Sequence, residues 1–516
     1  MAPLRQSDTD ACPGALRLHA AADGLLARVR LPAGVLTGDQ MRALRELTEQ
    51  AGDGSLELTS RANLQIRGVR AEAAETLAAR LRAAGLLPSQ THDPVRNIAA
   101  PPLAGPELRA LLPQLDAALL ADPELPRLPG KFLFALGEVP LATDVAAVPI
   151  PDGSSGTGSS SGDSFAILLG GHDTGLRVGP DRVVEALIAA AHAFLAERDS
   201  QQSKAWRLRE LTDGPTRVSA RVTAALSLPQ PSSTPPASPP PASTPPASPR
   251  PASPRPPFPR SCEFAQERSC EESQDRADGR GEERGEGRGE ERGEGRGEER
   301  GERGDLLGIL EQPGSPLVAV GALVPLGRLG PVHMKVLEKA ARLVITPGRG
   351  VLVTDLRPDE APGWIERLAD AGLALAPDSP WVGVTACAGR PGCAKSLADV
   401  RSDATRTSRF VDGSPVHWVG CERACGSPAG RHVQVLATPA GYRVTQPERG
   451  GQAERGGQAE RGGQAERAAQ PERGAGPERE YGAGFAGHIG NVGHEAVALA
   501  FGSGELGDVV AAARRA

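Results

Sequence analysis

Apolar and polar positions are patterned most clearly in two short stretches far apart in the chain. Leu56 to Ile66 reads LELTSRANLQI: an apolar run, a polar turn opening on Thr59, and a second run alternating apolar with polar. That is the pattern of two strands joined by a turn. Leu343 to Val353, LVITPGRGVLV, repeats it at an offset of 287 residues. After each comes an alanine-rich helical stretch closing on a glycine, Gly85 or Gly372, 26 residues beyond the threonine in both copies. Before each lies a further strand and helix, LLARVRLPAGVLTGDQMRALRELTEQ in the first and LVAVGALVPLGRLGPVHMKVLEKAAR in the second. Each copy reads strand, helix, strand, strand, helix. Such units have few ways to cover their sheets alone, so the two are expected to pack as a pseudo-twofold pair.

Each copy is followed by a second kind of segment. Residues 91–215 hold the strands KFLFALGE and FAILLGG and the helix DRVVEALIAAAHAFLAER, whose apolar residues fall three and four apart. After the second copy, WVGVTACAG opens a cysteine-bearing segment with later strands HVQVLA and GYRVTQ. Between the halves the pattern disappears. A proline-rich tract and then GRGEERGEGRGEERGEGRGEERGERG offer nothing to bury, so 226–304 is expected to be a disordered linker. A second tract built on ERGGQA makes 448–480 another linker. The remaining boundaries are a tail at 1–14, a half-domain at 15–90, an α/β module at 91–225, a half-domain at 305–378, a cysteine module at 379–447 and a closing segment at 481–516.

Composition narrows the classes of function. The 516 residues exceed one typical domain, while the low hydrophobic share of 39% is explained by the two linkers. A net charge of -6 argues against a nucleic acid or anionic membrane partner. Neither a run of about 18 apolar residues nor the apolar core of a signal peptide is present, so the expected location is cytoplasmic. In that compartment seven cysteines point to metal or redox work before disulfides. Arginine far outnumbers lysine, with Lys131, Lys204, Lys335, Lys339 and Lys395 the full set, so a single arginine says little.

Four cysteines cluster. Cys387 and Cys393 are separated by five residues, Cys421 and Cys425 by three, and 27 residues lie between the pairs. Thiolates so spaced can ligate a cubane iron–sulfur cluster, and Gly389, Pro391, Gly392, Gly420 and Gly426 allow backbone to approach the sulfurs. Zinc is the alternative, although its structural sites favour gaps of two to four residues. Cys262 and Cys270 lie in the first linker and Cys12 in the tail.

TACAGRPGCAKSLADVRSDA and GCERACGSPAG resemble the paired cysteine motifs of the sulfite and nitrite reductase superfamily. Within it, the opening CPGALRLHAAADGLLARVRLPAGVLT, the segment ELTSRANLQIRGV, and Glu422 where reductases usually have proline are most similar to the precorrin-3B synthase family. The resemblance implies an α+β fold, with duplicated ferredoxin-like half-domains packed as a pseudo-twofold pair beside two α/β modules of the sulfite/nitrite reductase type. It implies a 4Fe-4S cluster on Cys387, Cys393, Cys421 and Cys425. It also places Arg61, Arg67, Arg96 and Lys131 in motifs that face tetrapyrrole carboxylates, with Asn63 and Gln65 beside them.

Alternate side chains of a strand share a face, so Arg61, Asn63, Gln65 and Arg67 are expected to project together. A plain exposed polar face is the alternative. The second copy carries Gly348, Gly350, Leu352 and Thr354 at these positions, as expected if one site stayed active and its partner degenerated. Sulfite-reducing relatives carry two lysines in a K-F-K arrangement, whereas this chain reads Lys131, Phe132, Leu133. The activity implied is a monooxygenase that hydroxylates precorrin-3A at C20 and forms a lactone from the ring A acetate, in cobalamin biosynthesis. O2 and NADH-derived electrons would be consumed, the electrons arriving through a separate reductase, because no G-x-G-x-x-G joins a strand to a helix in the folded parts. The alternative is a sirohaem sulfite or nitrite reductase. Oxygen activation would fall to non-haem iron, for which His172 and Asp173 are the best local pair. His417, His432, His488 and His494 are read as surface or packing residues.

Overall fold

The computed structural model describes residues 13–150, 164–228, 306–428, 430–446, 490–492, 495–500 and 503–515. Nearly all of both expected linkers, with Cys12, Cys262, Cys270, His488 and His494, lies outside the described residues.

The first half-domain runs β1 (His19–Ala21), β2 (Gly24–Val29), β3 (Val35–Leu36), α1 (Gly38–Ala51), β4 (Leu56–Leu58), β5 (Leu64–Val69) and α2 (Ala74–Ala83). The first module follows with β6 (Ile98–Ala99), α3 (Pro106–Ala121), β7 (Phe134–Leu136), β8 (Val145–Ile150), β9 (Ser164–Leu169), β10 (His172–Val178), α4 (Val183–Ser200) and α5 (Gly214–Ala225). The second half-domain comprises β11 (Gly308–Glu311), β12 (Val318–Leu323), β13 (Arg328–Leu329), α6 (Pro331–Leu337), β14 (Leu343–Ile345), β15 (Gly350–Leu356) and α7 (Ala361–Asp370). The second module holds β16 (Val384–Ala386), α8 (Val400–Thr407), β17 (Val416–Val419), β18 (Val433–Thr438), β19 (Gly441–Thr445), β20 (Gly490–Val492), β21 (Glu495–Ala500) and α9 (Ser503–Arg515).

The repeat legible in the sequence is a repeat of local geometry. In the first copy Ala62 N–H bonds Thr59 O and Asn63 N–H bonds Thr59 Oγ1, and in the second Arg349 and Gly350 make the same bonds to Thr346. Ala62 and Arg349 share a left-handed φ of 56° and 63°. A short turn after the second strand recurs too, with Ala33 and Leu326 left-handed at 52° and 51° before a glycine. The helix after it starts differently: Thr37 and Gln40 form a reciprocal cap on α1, whereas Pro331 opens α6.

The halves exchange strands. The first sheet is ordered β1-β2-β5-β4-β13 and the second β11-β12-β15-β14-β3, so each copy completes the other's sheet. Leu329 pairs with Leu56 and Leu36 with Leu343; Leu36 and Leu329 each stand two residues after the glycine of the recurring turn, and Leu56 and Leu343 each open the hairpin. One apolar core serves both halves, with Met41, Leu44 and Leu47 of α1 and Met334 and Leu337 of α6 in it. All five are at most 1% exposed.

The modules also correspond. In the first, β6, β7 and β8 are parallel and β9 and β10 continue antiparallel. In the second, β16, β17 and β18 are parallel, followed antiparallel by β19 and β21. Phe132, Phe134, Phe165 and Phe194 fill the first core, and Trp418 and Tyr442 stack edge-on in the second. Among the described residues no helix is long and apolar enough to cross a membrane.

Candidate cluster and tetrapyrrole site

In an open α/β sheet ligands bind beyond the carboxyl ends of parallel strands. The cysteines occupy that place. Cys387 follows β16 directly, Cys393 stands further along the same loop, and Cys421 and Cys425 lie in the loop after the neighbouring β17. The loops are bonded to each other. Leu397 N–H donates to Gly420 O at 2.8 Å, and Gly420 N–H donates to Cys387 Sγ at 3.3 Å. Burial pushes the Cys387 thiol up, the Gly420 and Gly389 amides oppose this, and the neighbouring Cys425 adds to it.

All four thiols are free. Among the described residues no group of three or more His, Cys, Asp and Glu side chains is gathered to hold a metal ion. The donor chemistry nevertheless fits an iron–sulfur cluster: four free thiols on adjoining loops, with a backbone amide already aimed at one sulfur. Gly389 and Gly426 adopt φ of 67° and 82°, a backbone conformation that favours glycine, and a Cβ on Gly389 would also stand 2.9 Å from Val400 Cγ2.

The first half-domain braces the first loop. Arg67, 7% exposed, forks onto Asp23 at 2.8 and 3.0 Å and donates to Gly392 O at 2.7 Å. Arg401, in the first turn of α8, pairs with Glu57 at 2.5 Å and donates to Cys387 O at 3.1 Å. The second loop is held by His417, fully buried on β17. Its Nε2 meets Cys425 O at 3.1 Å and its Nδ1 meets Thr385 Oγ1 at 2.8 Å, so the neutral ring donates at one end and accepts at the other. Burial pulls His417 down to about 4, which keeps it in that form at neutral pH.

A basic cluster lies at the other end of β5. Arg61 is in the turn before the strand, and its guanidinium donates to Lys131 O at 3.4 Å. Arg207 donates to the same carbonyl at 2.7 Å. The Lys131 ammonium sits 4.5 Å from the centre of the Trp206 ring. Beneath them Asp144 pairs with Arg207 at 3.1 Å and accepts from the Leu133 and Leu208 amides. Burial pushes the Asp144 carboxyl up against the pull of Arg207, and burial pulls the Arg207 guanidinium down.

This placement corrects part of the reading from sequence. The four polar residues do not form one strand face, because Arg61 and Asn63 belong to the turn and only Gln65 and Arg67 to β5. Asn63 is buried and accepts from Leu31 N–H at 2.9 Å. The forks of Arg67 and Arg96 are taken, the latter by Asp116 at 2.6 and 2.7 Å. Arg61 and Lys131 do come together. Asp173 is engaged with Arg177, so the pair His172 and Asp173 gathers no third ligand among the described residues. Sequence reasoning missed Trp206, Arg207, Asp144, Glu57, Asp23 and Arg401, all of which act across long sequence separations. His417 did carry a signal, a polar residue inside the apolar strand VHWV.

Residues 19–84 match the nitrite/sulfite reductase ferredoxin-like half domain. The chain's oxidoreductase relatives are of two kinds. The ferredoxin–nitrite reductase of Synechococcus elongatus is 25% identical over 456 residues, covering 78% of this chain and 74% of that one. The precorrin-3B synthase of a Sinorhizobium species is 24% identical over 438 residues, covering 84% and 81%. The structure of the Mycobacterium tuberculosis NirA protein superposes with a TM-score of 0.54 at 17% identity, covering 82% of this chain and 74% of that one, a likeness of fold.

Proposed function

We propose that this chain is an iron–sulfur oxidoreductase that acts on a tetrapyrrole, and that its reaction is the hydroxylation of precorrin-3A with lactone formation, as in precorrin-3B synthase. The observation that carries the reading is the pairing of a basic cluster with an apolar neighbour. Arg61 and Lys131 offer cations to ring carboxylates, and Trp206 steadies the lysine. Leu133, where the resemblance puts the second anion-binding lysine of sulfite reducers, is 2% exposed and packs on Ala99, Ala135 and Ala146. Its side chain cannot meet a small anion. In this reading Cys387, Cys393, Cys421 and Cys425 hold a 4Fe-4S cluster, which when bound supplies single-electron transfer. Arg61 and Lys131 orient the macrocycle, and Arg207 and Asp144 fix the carbonyl on which they depend. One oxygen atom of O2 enters the substrate and the other leaves as water, with two electrons and two protons completing the balance. The electrons come from a separate reductase.

Nitrite reductase names among the relatives favour a second reading, a sirohaem-dependent nitrite or sulfite reductase. A visible spectrum after anaerobic purification separates the two, since sirohaem adds strong Soret and red bands to those of a cluster. Incubation with precorrin-3A, reductant and labelled O2 tests the first reading. Product without label, formed while the cluster is intact, refutes the oxygenase.

A further inference from the structure

Arg67 shares β5 with Gln65 and begins six residues after Arg61, so a strand places the two arginines roughly 20 Å apart at most. They face different neighbours. Arg61 reaches the first module, whereas Arg67 reaches Gly392, in the loop between Cys387 and Cys393. A Cβ on Gly392 would stand 2.9 Å from the Arg67 guanidinium, so the loop backbone and the arginine are in direct contact. Arg401 grips the same loop at its other end, through Cys387 O. Each guanidinium is held in turn by a carboxylate of the first half-domain, Asp23 or Glu57, and Arg67 and Glu57 are themselves only 3.8 Å apart.

We propose that Arg67 and Arg401, with Asp23 and Glu57, are positioning residues that clamp the backbone carbonyls of the first cysteine loop and thereby retain the cluster. The inference rests on the cluster reading above. It moves Arg67 from the substrate face to the cluster. The two guanidiniums and two carboxylates cancel in charge, so the arrangement fixes shape and adds no net field. Both arginines donate to loop carbonyls as well as to carboxylates, which an ordinary interdomain ion pair does not require.

The duplicated half supplies the comparison. Thr354 and Val344 stand at the positions of Arg67 and Glu57, and there Ala100–Ala104 follow β6 with no cysteine among them. There Arg109 of the module meets Asp355 of the half-domain, its Nη2 alone donating to both carboxylate oxygens at 2.7 and 2.6 Å. Beside the cysteine loop the arginines reach loop carbonyls as well as carboxylates; where the cysteines are lacking, Arg109 joins a network on Asp355 that includes Arg342 at 3.7 Å and Gln312 at 2.8 Å.

The test is the rate at which full-length, cluster-loaded protein releases iron to a chelator under anaerobic conditions, with the denaturation midpoint measured alongside. Arg67→Gln and Arg401→Gln should release iron about tenfold faster than wild type, the loss expected for a charge-assisted hydrogen bond, while Arg109→Gln should stay within about twofold. Release at the wild-type rate in both clamp variants overturns the proposal. So does equally fast release from Arg109→Gln, which would mean general loosening between domains. Should the glutamine variants not fold, Arg67→Lys keeps the charge and loses the fork. Faster release then supports the clamp and an unchanged rate overturns it. Wild-type protein that takes up no iron and sulfide refutes the cluster reading and the clamp with it.

Discussion

Gly420 sits where the two cysteine loops touch, and replacing it with alanine tests whether their contact is as close as described. The added Cβ would stand 1.8 Å from Ser396 Oγ, 2.7 Å from Ser396 Cβ and 3.2 Å from Ser396 Cα. Ser396 cannot simply turn aside. It is 1% exposed, its hydroxyl donates to Ala398 O at 2.8 Å and its amide to Cys393 O at 3.1 Å. Rotating the hydroxyl away forfeits a net stabilisation of about 1 kcal/mol, and the 2.7 Å approach to Cβ would remain. The backbone must therefore shift, at the usual overpacking cost of about 1–3 kcal/mol. Together Gly420→Ala should destabilise the protein by about 2–4 kcal/mol in urea denaturation. Adding Ser396→Gly leaves Cα as the nearest atom, so the double variant should lose less than the sum of the single losses by at least about 1 kcal/mol. A Gly420→Ala loss below about 0.5 kcal/mol, or a cycle without coupling, refutes the contact.

Other expectations follow from the same geometry. Cys421→Ala should remove one cluster ligand and lower iron and sulfide content; full content in the purified variant contradicts the ligand assignment. Trp206→Ala takes away the ring under Lys131, worth about 0.5–2 kcal/mol, so the dissociation constant for a carboxylate-rich tetrapyrrole should rise about twofold to thirtyfold in a fluorescence titration; an unchanged value excludes Lys131 from binding. Glu197, nearly buried beneath Arg217 and Arg221, has its carboxyl held down to about 2 by their hydrogen bonds against the opposing effect of burial. Because the folded value lies below the unfolded one, this stabilisation is complete above about 4.5 and lost as pH falls towards 2. Glu197→Gln should therefore flatten the acid limb of a stability-versus-pH curve, and a limb of unchanged slope there argues against the pair.

The duplicated hairpins and the cysteine pairs could be read from the sequence because local rules govern them. A strand, a turn on Thr59 or Thr346, and a helix ending on glycine are set by neighbours within thirty residues. The exchanged strands could not be read so. Val35–Leu36 and Arg328–Leu329 are two residues each, too short for any periodicity, and their partners lie in the other copy. Arg67 shows the same limit at the site. Alternation groups it with Gln65, but whether it meets a substrate or the loop at Gly392 is decided by a contact 325 residues away. Arg207 was hidden differently, since in so arginine-rich a chain nothing local distinguishes it.

The reciprocal strands bear on how such a chain could arise. A single copy, standing alone, would leave the edge of β4 bare and carry β3 with no sheet to join. Such an edge recruits another chain, and the partner that fits both defects at once is a second copy related by a twofold axis. A twofold pair of identical copies would have two equivalent sites, whereas two copies joined in one chain are free to differ. One site could then keep thiols while the other gave them up, a division of labour that no symmetric dimer of a single gene can make.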